Sequence, residues 1–573
     1  MPNQPRPLAD FSPLFAARAF SPRDKKNLAP FFTNLNKSVY VPLIFSPEVV
    51  GALCSRTSRA ADDLRPIFLN EYINPFLFPE GTPKEKKDMA KYGQELKTLI
   101  AFLQKHPIEK IFSNPKARSF YAKWLAQYGD DSIAQMAGSH VVFSSLSQVA
   151  IKHLEDQRIG LAPIEKSTRY VNYSKKINGQ YQYYVDPTLK DLGLDKAYRA
   201  AMDNLFETYV DLLPKLTAWL TQKFPDEKQG VVEKKAFDTL RGLLPTSTLS
   251  QVAFFGNGQA FEYAVSRSGQ HPLGEIRWAG EAMYQELFKV TPSFLRRVKD
   301  ASRQELVTGY QTYLSQKSHR LMPLVKKFLR DINKKVTPGS KAKVELIEFD
   351  PQGENKIIAG MLYNAPNNQA TWNKTLSAVK AMSTKNKQAV LTKYLSGRTQ
   401  RWQKVGRAFE NAYLRYEITM NIGGWRDLHR HRMLTQQRQH FTVKHGFDVP
   451  PELIESGFAK DFSAAIKKVE AVYYKIAAKN LDLAQYAVTM AHRLHFMQWT
   501  NMRELFWEVE LRTIPEGHPD YRHIEQEKFN LLAPHFPLIA EHMRVNLGEY
   551  DFARRGQEEK IQQKLQELEK LNK

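Results

Sequence analysis

Apolar positions along this chain follow two periodicities. LSQVAIKHLEDQR, ending at Arg158, and IGGWRDLHRHR, ending at Arg432, space their apolar residues as an amphipathic helix does, and each runs into a basic loop. Shorter runs at 181–185 (YQYYV) and 344–349 (VELIEF) are aromatic and β-branched and read as strands. Long helical segments mixed with such strands predict an α+β fold, with helices packed on antiparallel sheets. The apolar run at 141–151 is interrupted by serines and is too short to span a bilayer. From Gln557 onward, Ile561, Leu565, Leu568 and Leu571 recur at helical spacing in a charged helix. The first forty residues, rich in Pro, Asn and Phe, read as an extension, and KKVTPGSKAK at 334–343 reads as a linker.

The elements also repeat. VDPTLKDLG from Val185 is echoed by VPPELIESG from Val449, and each lies downstream of one of the two helix-to-basic-loop runs. Further on, FFGNGQAFEYAVSR holds Asn257 and QWTNMRELFWEVELR holds Asn501. The order is the same in both halves and the offsets drift modestly, as a duplicated domain with loop insertions would give. The expected organisation is an extension at 1–40, a first domain at 41–333, a second at 344–545 and a charged C-terminal helix at 546–573.

Composition narrows the partners. Hydrophobic residues make up 42% and aromatic residues 12% of the 573, enough to bury real cores. The net charge of +23 favours polyanions: nucleic acid, anionic lipid or phosphorylated small molecules. Aromatic–basic mixing such as RYVNYSKK is common on any basic surface, and no nucleic-acid-binding signature accompanies it. The single cysteine, Cys54, excludes an intramolecular disulfide and a Cys-based zinc cluster. The N-terminal residues lack the basic-then-apolar order of a signal peptide, so a cytoplasmic, reducing setting without a membrane partner or a metal is expected.

Two constellations carry chemistry. Arg430-His431-Arg432 closes a helix-like run, and three adjacent cationic or protonatable groups call for an anion or an electron-rich ring nearby. Ser167-Thr168-Arg169-Tyr170 puts a hydroxyl and a guanidinium two residues apart, on one side of an extended segment, a plausible phosphate grip.

These residues resemble the flavin-dependent thymidylate synthase family, whose signature is Arg-His-Arg, seven residues, then Ser-x-Arg-Tyr. The second half keeps Arg430-His431-Arg432 but has His440-Phe441 where the Ser should stand. The first half has Asp156-Gln157-Arg158 in place of the triad and keeps Ser167-Thr168-Arg169-Tyr170. LCSRTS at 53–58 echoes an early family element. Gly129-Asp130-Asp131-Ser132 with Gln135-Met136, and Glu410 in the second half, echo another. Arg241 before Leu244-Pro245, with Asn257 downstream, and Gln485 with Asn501, Met502-Arg503 and Leu511-Arg512, echo the last. The likeness covers 49–275 and 346–522, in two copies.

The resemblance implies an enzyme that methylates dUMP with FAD, NADPH and methylenetetrahydrofolate, without a cysteine nucleophile. It implies that Arg430, His431, Arg432, Glu410, Asn501 and Arg503 hold FAD. Ser167, Arg169, Tyr170 and Arg241 would hold the nucleotide. Arg430, with Arg267 or Arg512 beside the pyrimidine, would act on the base. Family sites form between subunits of a tetramer, so a homodimer of this tandem chain would build a pseudo-tetramer with mosaic sites shared by the halves. Asp427, Gln485, Asp130 and Trp507 depart from the family pattern. The competing expectation is a flavin- or nucleotide-binding relative with a changed substrate or no catalysis.

Overall fold

A computed structural model describes residues 6–43, 45–107, 115–121, 123, 131–157, 159–299, 304–333, 342–552, 563–568 and 570. Strands β1 (Val39–Tyr40), β2 (Gly138–Ser147), β3 (Leu161–Glu165) and β4 (Leu249–Asn257) form an antiparallel sheet in the order β1-β2-β4-β3. Strands β5 (Lys343–Phe349), β6 (Tyr413–Asn421), β7 (Thr435–Arg438) and β8 (Arg493–Asn501) form a second, in the matching order β5-β6-β8-β7. The fold is α+β, in two tandem copies, and 344–349 lies in β5 as its composition predicts.

The helices that matter below are α1 (Gln148–Glu155), α2 (Asp195–Lys223), α3 (Gln229–Leu240), α4 (Gly258–Gly269), α5 (Gly274–Val290), α6 (Ile422–Leu428), α7 (Ala459–Ala477), α8 (Met502–Arg512) and α9 (Pro519–Leu532). Both central strands of each sheet run straight into a helix, and the last strand residue is the N-cap. Ser147 Oγ accepts from Ala150 N at 3.1 Å, and Asn257 Oδ1 accepts from Ala260 N at 2.9 Å. Asn421 Oδ1 accepts from Gly424 N at 2.8 Å, and Asn501 Oδ1 accepts from Glu504 N at 3.0 Å. Each cap satisfies an amide that the first helical turn leaves without a partner. This motif is the backbone signature of the duplication.

The compact units do not follow the repeats. The first unit comprises Met1–Lys215, Leu243–Val336 and Lys460–Val488; the second comprises Leu216–Gly242, Thr337–Ala459 and Thr489–Lys573. The first therefore contains nearly all of α7, from the second repeat, and the second contains α3, from the first. Within the first unit, Thr246 N donates to Val488 O at 2.7 Å. Within the second, Ala491 N donates to Gly242 O at 3.1 Å and Lys235 Nζ meets Glu452 at 2.6 Å.

The segment expected as an extension is part of the first unit's core. Phe20, Leu28, Phe31, Phe32 and Tyr40 are buried with Leu53, Cys54, Leu64 and Phe68. Residues 181–185 are not a strand: only Tyr183 bridges, to Thr248. Tyr183 and Tyr184 are buried instead, with their hydroxyls on Asp203 (2.9 Å) and Asp186 (3.3 Å). An aromatic run serves a packed loop as well as a strand when its hydroxyls find partners. Most of the expected linker, 334–341, lies outside the described residues, as do Gln557, Ile561 and Leu571. Leu565 and Leu568, in the C-terminal helical segment at 563–568, are exposed.

Each unit traps a lysine between two carboxylates. Lys152 meets Glu155 at 2.6 Å and Glu165 at 3.0 Å; Lys528 meets Glu508 at 2.9 Å and Glu525 at 3.1 Å. Among the described residues, no helix is long and apolar enough to cross a membrane.

Candidate active site at the strand-to-helix junctions

In the second unit, β7 begins opposite Trp499, so the loop between α6 and β7 delivers Arg430-His431-Arg432 to the point where β8 becomes α8. The three side chains diverge. Arg430 is 55% exposed, with Nη2 3.8 Å from the buried Asp427. His431 is buried, with Nδ1 3.0 Å from Glu504 Oε1, and its Nε2 accepts from Arg512 Nε at 2.9 Å. That second bond needs a lone pair on Nε2, which places the ring proton on Nδ1, facing Glu504. Both ring nitrogens are thus engaged inside the protein. Arg432 is half-buried.

Glu410, just before β6, reaches the same junction. Its Oε1 accepts from Arg503 Nη1 at 2.5 Å and its Oε2 from Arg407 Nη2 at 3.0 Å. Burial opposes the charge, but the two guanidiniums hold this carboxyl below the usual range. Lys404 Nζ sits 3.2 Å from the centroid of the Trp507 ring. Arg407 and Arg430 are thus exposed cations and Arg503 a partly exposed one, with Trp507 on the same helix as Arg503. Asn501, expected to touch the cofactor, spends its Oδ1 on the α8 cap.

At the opposite end of this sheet, Arg241 arrives from the first repeat. It is buried, with Nη1 3.1 Å from Asp238; Nη2 lies 3.6 Å from Asp520, within ion-pair range but beyond a hydrogen bond. Its Nε lies 3.1 Å from where a Cβ on Gly423 would stand, so the Arg241 side chain packs closely on the first turn of α6. The cap residue Asn421 also donates Nδ2 to Asp520 at 2.9 Å. Burial raises the Asp520 carboxyl, and Arg241 offsets only part of that rise.

The first unit repeats this second arrangement with other residues. Its cap, Ser147, donates N (2.8 Å) and Oγ (2.6 Å) to Glu275, which also accepts from Tyr486 OH at 2.8 Å. Glu275 occupies the second position of α5, as Asp520 does of α9, and Tyr486 comes from the second repeat, as Arg241 comes from the first. Burial pushes Glu275 up to about 7. These cap–carboxyl groups were not found from the sequence; a single acid at the second position of a helix leaves no periodic signal.

Ser167-Thr168-Arg169-Tyr170 is a turn after β3, not an extended segment. Ser167 Oγ accepts from Arg169 N at 3.3 Å, and Tyr170 N donates to Ser167 O at 3.2 Å. The serine hydroxyl folds back onto its own backbone, the competing use open to any Ser in a loop. In the second unit the segment after β7 is aromatic instead. Phe441 is buried 5.9 Å from Trp425, with the Arg438 guanidinium 4.6 Å over its ring.

Arg267 donates Nη2 to His153 O in the last turn of α1, so it ties α4 to α1. Gln485 is buried in the first unit. Gly129, Asp130 and Arg158 lie outside the described residues. At the β4–α4 junction, Gln135 Nε2 donates to Gln259 Oε1 at 2.9 Å, where the second unit pairs Glu410 with Arg503. Gln157 Nε2 donates to Ala260 O at 2.5 Å, where the second unit pairs His431 with Glu504.

The family model for thymidylate synthase complementing protein matches residues 88–293 and 345–538. A UPF0159 protein of Chlamydia muridarum is 32% identical over 549 residues, 94% of this chain and 98% of its own. A UPF0159 protein of Thermoplasma acidophilum is 28% identical over 542 residues, 88% of this chain and 96% of its own. A flavin-dependent thymidylate synthase of Mycobacterium sp. (strain JLS) is 26% identical over 185 residues, 31% of this chain and 70% of its own. A solved UMP/dUMP methylase of Streptomyces cacaoi covers 37% of this chain and 100% of its own, at 13% identity and a TM-score of 0.29.

Proposed function

Since the chain belongs to the thymidylate synthase complementing protein family through both repeats, we propose that it is a flavin-dependent thymidylate synthase, converting dUMP to dTMP with methylenetetrahydrofolate, FAD and NADPH. The observation that carries this reading is the cationic junction of the second unit. Its rim of guanidiniums suits a dinucleotide pyrophosphate, and the Trp507 ring offers a stacking face. Arg430, Arg432 and Arg503 would hold FAD, which when bound supplies the hydride. Glu410 orients Arg503, and His431 orients Arg512 as the guanidinium beside the pyrimidine. Arg241 reaches the first turn of α6 while Arg430 follows its last, and this pairing of repeats supports a mosaic site with Arg241 on the nucleotide. Ser167, Arg169 and Tyr170 remain the first unit's phosphate grip. One flavin per chain is expected, because the first unit has Asp156 where the second has Arg430, and Gln135 with Gln259 where the second pairs Glu410 with Arg503.

The test is the absorbance spectrum of the purified protein, its change on adding dUMP, and dTMP formation with the co-substrates. Arg430→Ala should weaken flavin binding by roughly 1–3 kcal/mol. A colourless protein that excess FAD does not reconstitute overturns the proposal. Two observations favour the second reading, a flavin-binding relative with a changed substrate: the internal engagement of both His431 nitrogens, and the aromatic segment at Phe441. That reading predicts bound flavin and no dTMP.

A further inference from the structure

The β4–α4 junction of the first unit opens into a cavity of about 700 Å³, lined by residues around the start of α4 and by Val307 and Tyr310. That volume falls within the range of small-molecule sites, about 300–1,000 Å³. Its polar wall is made of carboxamides: Gln135, Gln157, Asn257 and Gln259. Its aromatic wall is Tyr263 and Tyr310, whose side chains remain 42% and 45% exposed. Glu262 and Arg297, the charged residues among the described lining, neutralise each other through Arg297 Nε on Glu262 Oε1 at 2.7 Å. Gln157 gives its Nε2 to Ala260 O and is left with a buried Oε1 that accepts no hydrogen bond. A buried acceptor without a donor is rare in a finished core and marks where a donor is expected to arrive.

We propose that this cavity is a binding site for a neutral planar heterocycle with ring N–H and carbonyl groups along one edge, held as the uncharged ring and not through a phosphate. The carboxamides offer donors and acceptors together, which suits such a mixed edge, and Gln157 Oε1 supplies an acceptor for a ring N–H. The tyrosines supply stacking faces, which bind any such ring with little regard to its identity. Among the described lining residues, a phosphate would meet only a guanidinium already committed to Glu262. The proposal does not rest on the thymidylate synthase reading, because the residues it uses all belong to the first unit's junction.

Uracil-type, purine-type and tricyclic rings share this edge chemistry, so uridine, guanosine and riboflavin are the probes, each beside its 5′-monophosphate. Binding to the full-length chain is followed by saturation-transfer NMR and calorimetry. At least one neutral probe should bind, and Tyr263→Ala and Gln157→Leu should each weaken it at least tenfold. Arg415→Ala, on β6 of the other unit, should leave that affinity within twofold. Tyr263→Ala alters an exposed ring and keeps the test alive if Gln157→Leu fails to fold. The proposal is overturned if no neutral probe shows Tyr263-dependent binding, or if a monophosphate binds at least tenfold tighter than its parent in a Tyr263-dependent way.

Discussion

At the β4–α4 junction of the first unit, Gln135 meets Gln259 and Gln157 meets Ala260; at the β8–α8 junction of the second, Glu410 meets Arg503 and His431 meets Glu504. The backbone plan is shared: the same strand order, the same asparagine cap, the same three chain segments converging. What differs is charge. The caps that hold each junction together survive in both units, whereas the lysine trapped between two carboxylates sits on α1 in the first and on α9 in the second, which are not counterparts. Features that would meet an anionic ligand survive in one. Divergence after duplication has therefore spared the fold's requirements and split the chemistry.

The trapped lysines, on helices that are not counterparts, should give the largest effects. Lys152→Met and Lys528→Met each leave buried carboxylates without their counter-charge, at a cost of about 3–5 kcal/mol. Urea unfolding should report similar losses for both. A large loss in one and none in the other would mean that only one unit depends on its trapped lysine.

The cap–carboxyl groups come next. Glu275 is buried, and that burial lifts its carboxyl from the ordinary 4.5 up to about 7. Its contribution is therefore complete below the unfolded value and is lost as pH rises through about 7, in total on the order of 3 kcal/mol. Glu275→Gln should flatten the decline in thermal stability between pH 5 and 8. Asp520 is raised in the same direction but its side chain is 37% exposed, so Asp520→Asn should flatten the curve less. An unchanged slope in Glu275→Gln would remove the first unit's half of the comparison.

Much of this plan was legible in the sequence. The duplication, the strand at 344–349, the helices before the basic loops and the importance of Asn257 and Asn501 all follow from spacing. The role of those asparagines did not: a residue type favoured at N-caps is also a ligand-binding type, and spacing cannot separate the uses. The exchange of α3 and α7 between units was not legible either, since adjacency along the chain does not say which sheet a helix packs on. Tyr183 and Tyr184 misled because burial of a paired tyrosine looks like strand composition. Cys54 gave no sign of its burial, since a lone cysteine has no spacing to read: desolvation pushes its thiol up to about 12, and it lies in a packed cluster.

The caps should separate fold from chemistry. Asn257→Ala and Asn501→Ala each remove one helix cap, worth about 1 kcal/mol, and their effects on stability should match within experimental scatter. If flavin binding is read on the same samples, only Asn501→Ala should disturb it, because α8 carries Arg503 and Glu504. Equal loss of flavin in both would mean that the first unit's junction also holds cofactor.

The smallest expected change in stability carries the sharpest contrast. Glu410→Gln with Arg503→Gln gives the second junction the chemistry of the first. Both side chains are partly exposed, at 28% and 38%, and such ion pairs are worth roughly 0–1 kcal/mol, so unfolding should barely move. The reciprocal change, Gln135→Glu with Gln259→Arg, should be equally quiet. Flavin titration is where the two should part: the neutralised second junction should bind more weakly, while the charged first junction, which has Asp156 where the second has Arg430, should not gain a full second equivalent. Two flavins bound by the Gln135→Glu, Gln259→Arg chain would mean that one ion pair is sufficient. The division between the units would then be a matter of two side chains rather than of the whole junction.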